Sequence, residues 1–242
     1  MKQKKEWFLN WFDTTYYHLL YDYRNDEEAE FFMDNLIEFL KIEKGAKLLD
    51  LPCGKGRHSL YLNSKGFNVV GADLSQNSIA HAKHFENQNL RFSIHDMRDP
   101  LNGKYSGIFN LFTSFGYFEQ EETNIKVLKN FKAALSDEGH LIIDFLNLNK
   151  VRSELIPMQH IAKKGVDYTI RKRITDQFII KDIEVKDQER TFFFQEKVQA
   201  IDLTKLQGYA SEAGLRITDL FGDYALNPYS EKDSDRLILA LS

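Results

Sequence analysis

The stretch Asp50–His58 contains the residues best suited to bind a charged small ligand. It has the sequence Asp-Leu-Pro-Cys-Gly-Lys-Gly-Arg-His and follows the apolar run Lys47–Leu51. Gly54 and Gly56 carry no Cβ, so the backbone can turn tightly and approach a ligand, and the helix predicted to follow presents free N–H groups. A glycine turn alone is equally consistent with a structural turn, so further residues must decide its role.

A second acidic residue follows the next predicted strand. Asp73 comes directly after the run Asn68–Ala72 and 23 residues after Asp50, close to the spacing of about 20 residues typical of a carboxylate that binds a ribose diol. A dinucleotide-binding fingerprint needs a third glycine, where this chain has Ser59. Asp50 would repel a pyrophosphate but suits the ammonium and sulfonium charges of S-adenosylmethionine. A nicotinamide-dependent oxidoreductase is therefore a distant alternative.

The elements that must position these residues lie between about residues 45 and 150. Short apolar runs alternate there with helical patterns, which predicts a parallel, doubly wound α/β sheet with right-handed crossovers. The predicted strands are Lys47–Leu51, Asn68–Ala72, Leu90–Ser93, Ile108–Thr113 and His140–Phe145. The predicted helices are Gly56–Ser64, Ser75–Glu86 and Glu121–Leu135, and a turn is expected at Asp137–Gly139.

The N-terminal region, residues 1–44, has apolar residues at helical spacing and predicts two helices. Asn25 or Asp26 is the expected cap of the second helix. The aromatic run Tyr16–Arg24 lies between the two helices. The residues expected on the apolar faces are Trp7, Phe8, Trp11 and Phe12 in the first helix, and Phe31, Phe32, Leu36, Ile37 and Leu40 in the second.

In residues 151–201 apolar residues recur at every second position, which predicts an antiparallel β insertion after strand five. The closing region, residues 202–242, predicts a helix capped by Asp202 and ending at Gly214, followed by strands near Leu215–Phe221 and Arg236–Leu241. These strands would return the chain to the main sheet. The alternating apolar residues of the insertion are Tyr168, Ile170, Ile174, Ile179, Ile183, Val185, Phe192, Phe194, Val198 and Ala200.

With these motifs the chain resembles the class I S-adenosylmethionine-dependent methyltransferases, most of all the small-molecule type with an Asp-Leu-Pro-Cys-Gly-x-Gly-Arg-His loop. The resemblance is close over residues 45–150. It implies a Rossmann-like, doubly wound seven-stranded sheet with an N-terminal helical lid. It also implies S-adenosylmethionine as cofactor, with Asp73 on the ribose and Leu74 beside the adenine. The residues implied at the methionine end are Asp50, Pro52, Cys53, Gly54, Gly56 and Arg57.

The same resemblance assigns the segments after the third and fourth strands. Asp96 and Met97 match the segment that contacts the adenine, while Thr113 and Phe115 are expected at the cofactor and Tyr117 at the acceptor. Packing of this aromatic turn is the alternative. Many members of the family have Asp where this chain has Asn110. No cluster of carboxylates is evident at the strand ends, so metal-independent transfer is expected.

The aromatic run supplies the candidate acceptor residues. Tyr17 and Tyr21 are four residues apart and share a helical face, and His18 and Arg24 could reach the acceptor or the cofactor carboxylate. We expect this segment to fold over the occupied site as a lid. An amphipathic helix packed on the body is the alternative. His58 is expected to pack rather than act as a base.

Composition excludes several other classes of protein. The 242 residues carry a net charge of −4, without a basic run, so nucleic acid is not an expected partner. Cys53 is the single cysteine, and no apolar signal region or membrane span is evident, so a cytoplasmic location is expected.

Three functions remain open on the sequence, with the nicotinamide-dependent oxidoreductase as the most distant of them. The first is direct methyl transfer to a small-molecule acceptor, which needs proximity and orientation but no covalent intermediate. The second is a non-catalytic regulatory or scaffold protein that binds S-adenosylmethionine. Either could form a homodimer through the β insertion.

Overall fold

The computed structural model describes residues 6–22 and 26–242, which form two sheets and the helices that cover them. Within this described part of the chain, three helices precede the first strand: α1 (Trp7–Trp11), α2 (Thr15–Leu20) and α3 (Asp26–Leu40). The sequence predicted two. The additional helix, α2, begins one residue before the aromatic run because the Thr14 side chain accepts a hydrogen bond from the Tyr17 amide at 3.1 Å and caps it.

Helix α3 contacts the core along one face. Its buried residues follow the spacing of a single helical stripe: Ala29, Phe32, Met33 and Leu36. Phe31 is 51% exposed, so its predicted place on the apolar face is wrong. It lies one position from the stripe, and the neighbouring Phe32 takes the core position. Asn25, one of the two predicted caps, lies outside the described residues.

Five strands of the core sheet are β1 (Lys47–Asp50), β2 (Asn68–Asp73), β3 (Leu90–Ile94), β4 (Tyr105–Asn110) and β5 (Leu135–Leu146). They are parallel, in the order β3-β2-β1-β4-β5. β4 ends before its predicted limit because Phe112 and Thr113 take left-handed φ angles of 55° and 60°. The turn predicted at Asp137–Gly139 lies inside β5, where a register shift against β4 accommodates the extra residues.

Helices α4 (Arg57–Ser64), α5 (Gln76–Ala82) and α6 (Glu121–Ala134) connect these strands, and a short 3-10 helix (Lys83–Phe85) follows α5. They lie on both faces of the sheet. Neighbouring residues of one strand therefore enter different clusters: Leu48 packs with α3 and α4, and Leu49 packs with α6. This arrangement leaves the carboxyl ends of the strands open at one edge.

After β5 and the short helix α7 (Leu148–Ser153), the chain forms a separate four-stranded sheet. Its strands are β6 (Met158–Lys163), β7 (Val166–Ile174), β8 (Phe178–Asp187) and β9 (Arg190–Gln199). They pair in sequence order as an antiparallel meander. Helices α1 and α2 cover its apolar face, where Trp11 and Leu20 pack against Tyr168, Ile170 and Ile183.

The chain then returns to the core through α8 (Leu203–Glu212), β10 (Ile217–Phe221) and β11 (Arg236–Leu241). β11 is antiparallel to both β5 and β10, and it completes the seven-stranded order β3-β2-β1-β4-β5-β11-β10. The predicted Rossmann-like seven-stranded sheet is confirmed. Among the described residues, no helix has the length and apolarity needed to cross a membrane.

Candidate functional site

The turn between β1 and α4 brings the backbone close to the carboxyl edge of the sheet. Gly54 and Gly56 have φ angles of 55° and 90°, in the left-handed region that favours glycine. A Cβ on Gly56 would lie 2.7 Å from the Phe92 ring, so this position has no room for a side chain. Cys53 is 6% exposed, and its amide donates to the Ala72 carbonyl at 2.8 Å. Burial raises the pKa of the Cys53 thiol, which makes it a poor nucleophile.

Asp73 lies at the end of β2, facing this turn. Its two carboxylate oxygens accept hydrogen bonds from the amides of Gly54 and Ser75, each at 2.8 Å. Burial raises the pKa of Asp73, and these amide hydrogen bonds oppose the rise. Each carboxylate oxygen has two lone pairs, so acceptor capacity remains for two hydroxyl groups. This geometry fits the ribose diol that the sequence predicted here.

Asp50 is buried beneath the turn. It is 1% exposed, and Ser59 on the first turns of α4 donates a hydrogen bond to it at 2.6 Å. Burial raises the pKa of Asp50 to about 7, and the charge of Asp73 adds to the rise. The side chain does not line the cavity described next, so its predicted contact with the charged end of the cofactor stays a prediction. Its structural role is to anchor the turn through Ser59.

A cavity of about 1300 Å³ opens at this edge and extends to the four-stranded sheet. It exceeds the range of about 300–1,000 Å³ typical of sites for one small ligand. It is lined by most of the residues predicted for the site: Tyr17, His18, Tyr21, Pro52, Cys53, Gly54, Arg57, Asp73, Leu74, Asp96, Met97, Thr113 and Tyr117.

Three predicted site residues do not line the cavity, and a fourth is not described. Phe115 is 1% exposed and packs in the core, so its predicted contact with the cofactor is corrected. Asp50 and Gly56 support the turn from below. Arg24 lies outside the described residues.

Asp96 faces the cavity but is already held by an ion pair. Arg98 donates to it through Nε at 2.9 Å and through a terminal nitrogen at 2.5 Å, and the same guanidinium pairs with Glu6 at 2.6 Å. Although burial would raise the pKa of Asp96, the hydrogen bonds from Arg98 outweigh it and hold the pKa below its usual range. Met97 beside it supplies an apolar wall.

The loop after β4 is fixed by a buried ion pair that sequence analysis missed. Asp144 at the end of β5 is fully buried and pairs with Arg236 of β11 at 2.7 Å. Asp144 also accepts a hydrogen bond from the Phe112 amide at 2.8 Å, and Arg236 donates to the Thr113 hydroxyl at 2.8 Å. The pair therefore holds the two left-handed residues in place. No local sequence signal indicates it, because the partners are 92 residues apart.

Where the four-stranded sheet lines the cavity, Tyr21 joins a second polar network. Its hydroxyl donates to Glu196 of β9 at 2.8 Å, the Trp11 indole donates to the same oxygen at 2.8 Å, and Lys181 of β8 pairs with the other oxygen at 2.8 Å. Burial raises the pKa of Tyr21, so its hydroxyl is a poor base. These partners lie up to 185 residues apart in sequence, which explains why no motif revealed them.

The cavity is also lined by Tyr117, His18 and His58. The Tyr117 hydroxyl donates to the Thr113 carbonyl at 2.6 Å. Burial, reinforced by the charge of Lys55, lowers the pKa of His18, so its imidazole is neutral at pH 7. Burial lowers the pKa of His58 to about 3; its ring stacks on Phe112, and Nε2 has no hydrogen-bond partner among the described residues. His58 is thus a buried, neutral packing residue, as its sequence context predicted.

The strand order, the glycine turn and the carboxylate after β2 define a doubly wound α/β protein with a ligand site at the carboxyl edge of its sheet. A family model described as a methyltransferase domain matches residues 23–220, and the chain belongs to this methyltransferase family. The predicted family and its cofactor, S-adenosylmethionine, are confirmed.

Three proteins illustrate the similarity. The glycine/sarcosine N-methyltransferase of Halorhodospira halochloris is 29% identical over 229 residues, which cover 90% of this chain and 81% of that protein. The dTDP-3-amino-3,4,6-trideoxy-alpha-D-glucopyranose N,N-dimethyltransferase of Streptomyces venezuelae is 28% identical over 103 residues, 42% of this chain and 43% of that protein. An S-adenosylmethionine-dependent methyltransferase structure from Clostridium acetobutylicum ATCC 824 superposes with a TM-score of 0.80 at 22% identity, covering 94% of this chain and 95% of that chain.

Proposed function

We propose that the protein transfers a methyl group from S-adenosylmethionine to a small-molecule amine bound between the core sheet and the four-stranded sheet. The observation that carries this proposal is the large cavity whose lining includes both Asp73 and the Lys181–Glu196 pair. It has room for a cofactor and an acceptor together. Two relatives are named for methyl transfer to nitrogen, on glycine or sarcosine and on an amino sugar, and this supports an amine acceptor.

The residues present fit the cofactor. Asp73 has acceptor capacity for the ribose hydroxyls, and Leu74 and Met97 offer apolar walls for the adenine, with Asp96 nearby. The backbone of Cys53 and Gly54 forms the wall toward the methionine end. When bound, S-adenosylmethionine supplies an electrophilic methyl group on a sulfonium.

The chain's own contribution is orientation and the exclusion of water. Aromatic side chains close one side of the cavity: Trp7 and Phe12 pack edge to face, and both contact Tyr117. Correct alignment of two reactants can lower a barrier by as much as about 7–11 kcal/mol, so displacement needs no covalent intermediate. His18, neutral at pH 7, is placed to accept a hydrogen bond from an acceptor amine.

We further propose that transfer needs no metal ion. Asn110 stands where a carboxylate could have joined a metal site, and its side-chain amide donates to the Leu51 carbonyl at 2.8 Å. Residues 6–22 and 26–242 contain no group of three or more His, Cys, Asp or Glu side chains arranged to hold a metal. Activity should therefore survive a chelator, and a loss of activity that added metal restores would contradict this.

The test of the proposed function is release of S-adenosylhomocysteine during incubation with S-adenosylmethionine and a panel of small amines. Release above the amine-free background is expected for at least one amine, and Asp73→Ala should reduce it. Tight binding of S-adenosylhomocysteine without release for any amine would favour a non-catalytic binding protein instead. Tighter binding of NAD than of either adenosyl ligand would contradict the cofactor assignment.

A further inference from the structure

On the face of the four-stranded sheet that α1 and α2 cover, three hydrophobic cross-strand rows are interrupted by one charged row; at one end of the strands the row Val166–Asp187–Arg190 also carries charges. Three rows across β7, β8 and β9 are made of hydrophobic residues, whereas the row Lys172–Lys181–Glu196 is charged throughout. The hydrophobic rows are Tyr168–Val185–Phe192, Ile170–Ile183–Phe194 and Ile174–Ile179–Val198.

This row carries more positive than negative charge. Lys172 and Lys181 lie directly opposite each other on antiparallel strands, an arrangement of like charges that destabilises a sheet. Glu196 pairs with Lys181 at 2.8 Å and also accepts hydrogen bonds from Trp11 and Tyr21. The carboxylate of Glu196 thus forms an ion pair with Lys181 but not with Lys172.

Lys172 has no anionic partner within ion-pair distance among the described residues, and it lines the cavity. The charges that act on it are those of Lys181 and Glu196; burial, followed by the charge of Lys181, lowers its pKa. A half-buried ammonium on an apolar face is costly unless an anion reaches it. Lys172 therefore stands at a position where an apolar residue would match the neighbouring rows and would avoid this cost.

We propose that Lys172 binds an anionic group of the methyl acceptor, so that the acceptor is an amine that also carries a carboxylate or a phosphate. This rests on the proposed function and specifies its substrate class. The amine would lie toward the sulfonium end of the cavity, and the anionic group would complete the charged row.

Calorimetry on protein saturated with S-adenosylhomocysteine tests this with two matched pairs of probes, glycine against glycinamide and phosphoethanolamine against ethanolamine. The member of one pair that carries the carboxylate or phosphate should bind about tenfold or more tightly than the member that lacks it, the change expected for one ion-pair contact. The first pair reports a carboxylate site and the second a phosphate site. Lys172→Met should abolish the preference and Lys172→Arg should retain it.

Lys186→Met is the matched control, because Lys186 lies on the opposite, solvent-facing side of the same sheet and its side chain is 59% exposed. It should leave the preference unchanged. The absence of an anion preference in both pairs, or a preference that survives Lys172→Met, overturns the inference while the proposed function stands. Failure to bind S-adenosylhomocysteine at the start overturns both.

Discussion

Asp73 is the residue whose local geometry agrees best with its predicted role. Asp73→Ala removes the acceptors for two backbone amides as well as the proposed ribose contacts. We expect binding of S-adenosylhomocysteine to weaken by about 1.5–3 kcal/mol, the value of hydrogen bonds to a charged group. Calorimetry measures this, with the exposed Asp137→Ala as control. Unchanged affinity would remove Asp73 from the cofactor site.

Asp50 predicts a pH-dependent stability. Its folded pKa of about 7 lies above the ordinary value of 3.8, so the folded state holds a proton that the unfolded state has released between these limits. Its contribution to stability is therefore lost as pH rises from about 4 to 7. Asp50→Asn keeps an acceptor for Ser59 and carries no charge.

The free energy of unfolding of the Asp50→Asn variant, measured relative to that of the natural chain, should increase as pH is raised from 5 to 8, by a few kcal/mol at most. Urea denaturation at both pH values measures the difference, and effects of other titrating groups cancel in the comparison. A stability difference that is the same at pH 5 and pH 8 would show that Asp50 titrates normally.

At the scale of elements, the structure describes residues 16–22 of the proposed lid, most of which lie in helix α2. This helix has six residues, and Tyr17 and His18 face the cavity, while the Tyr16 hydroxyl donates to Asp187 at 2.9 Å on the four-stranded sheet. Because so short a helix is stabilised chiefly by its contacts, a ligand against Tyr17 and His18 should stabilise it further.

We expect amide hydrogen exchange across residues 16–22 to slow when S-adenosylhomocysteine binds. Helix α8, which lies away from the cavity, is the internal control and should be unaffected. Equal protection of residues 16–22 with and without the ligand would indicate a static packing helix, the alternative that the sequence left open.

The extent of sequence-based prediction also depends on the element. The strands of the core were predictable because burial on both faces makes each an apolar run, and Asp73 follows from the end of one of them. The period-two pattern predicted the insertion, yet the positions that interrupt it, Lys172, Lys181 and Glu196, become meaningful only once register places them in one row. Register between strands is a tertiary property that a single sequence does not specify.

At the scale of the whole molecule, the last strand, β11, contacts the loop that follows β4 at the candidate site. Arg236 of β11 donates hydrogen bonds to Asp144 and to Thr113. The pairing of β11 in the sheet and the conformation of the loop after β4 therefore depend on the same side chain. Neither partner carries a recognisable motif, and their sequence separation hides the pair from any local pattern. Such long-range polar contacts account for most of what the sequence did not reveal about the site.

This connection makes Arg236→Met informative. Asp144 is fully buried, and removing its partner leaves an uncompensated buried charge, which costs about 3–5 kcal/mol; we expect the lower end because the Arg236 side chain is 20% exposed. Adding Asp144→Asn to Arg236→Met removes that charge and should restore part of the stability. Urea denaturation measures both, with Arg216→Met, an exposed arginine next to β10, as control. If the double variant is no more stable than Arg236→Met, the loss comes from packing of the arginine side chain, and the buried charge of Asp144 is not what Arg236 compensates.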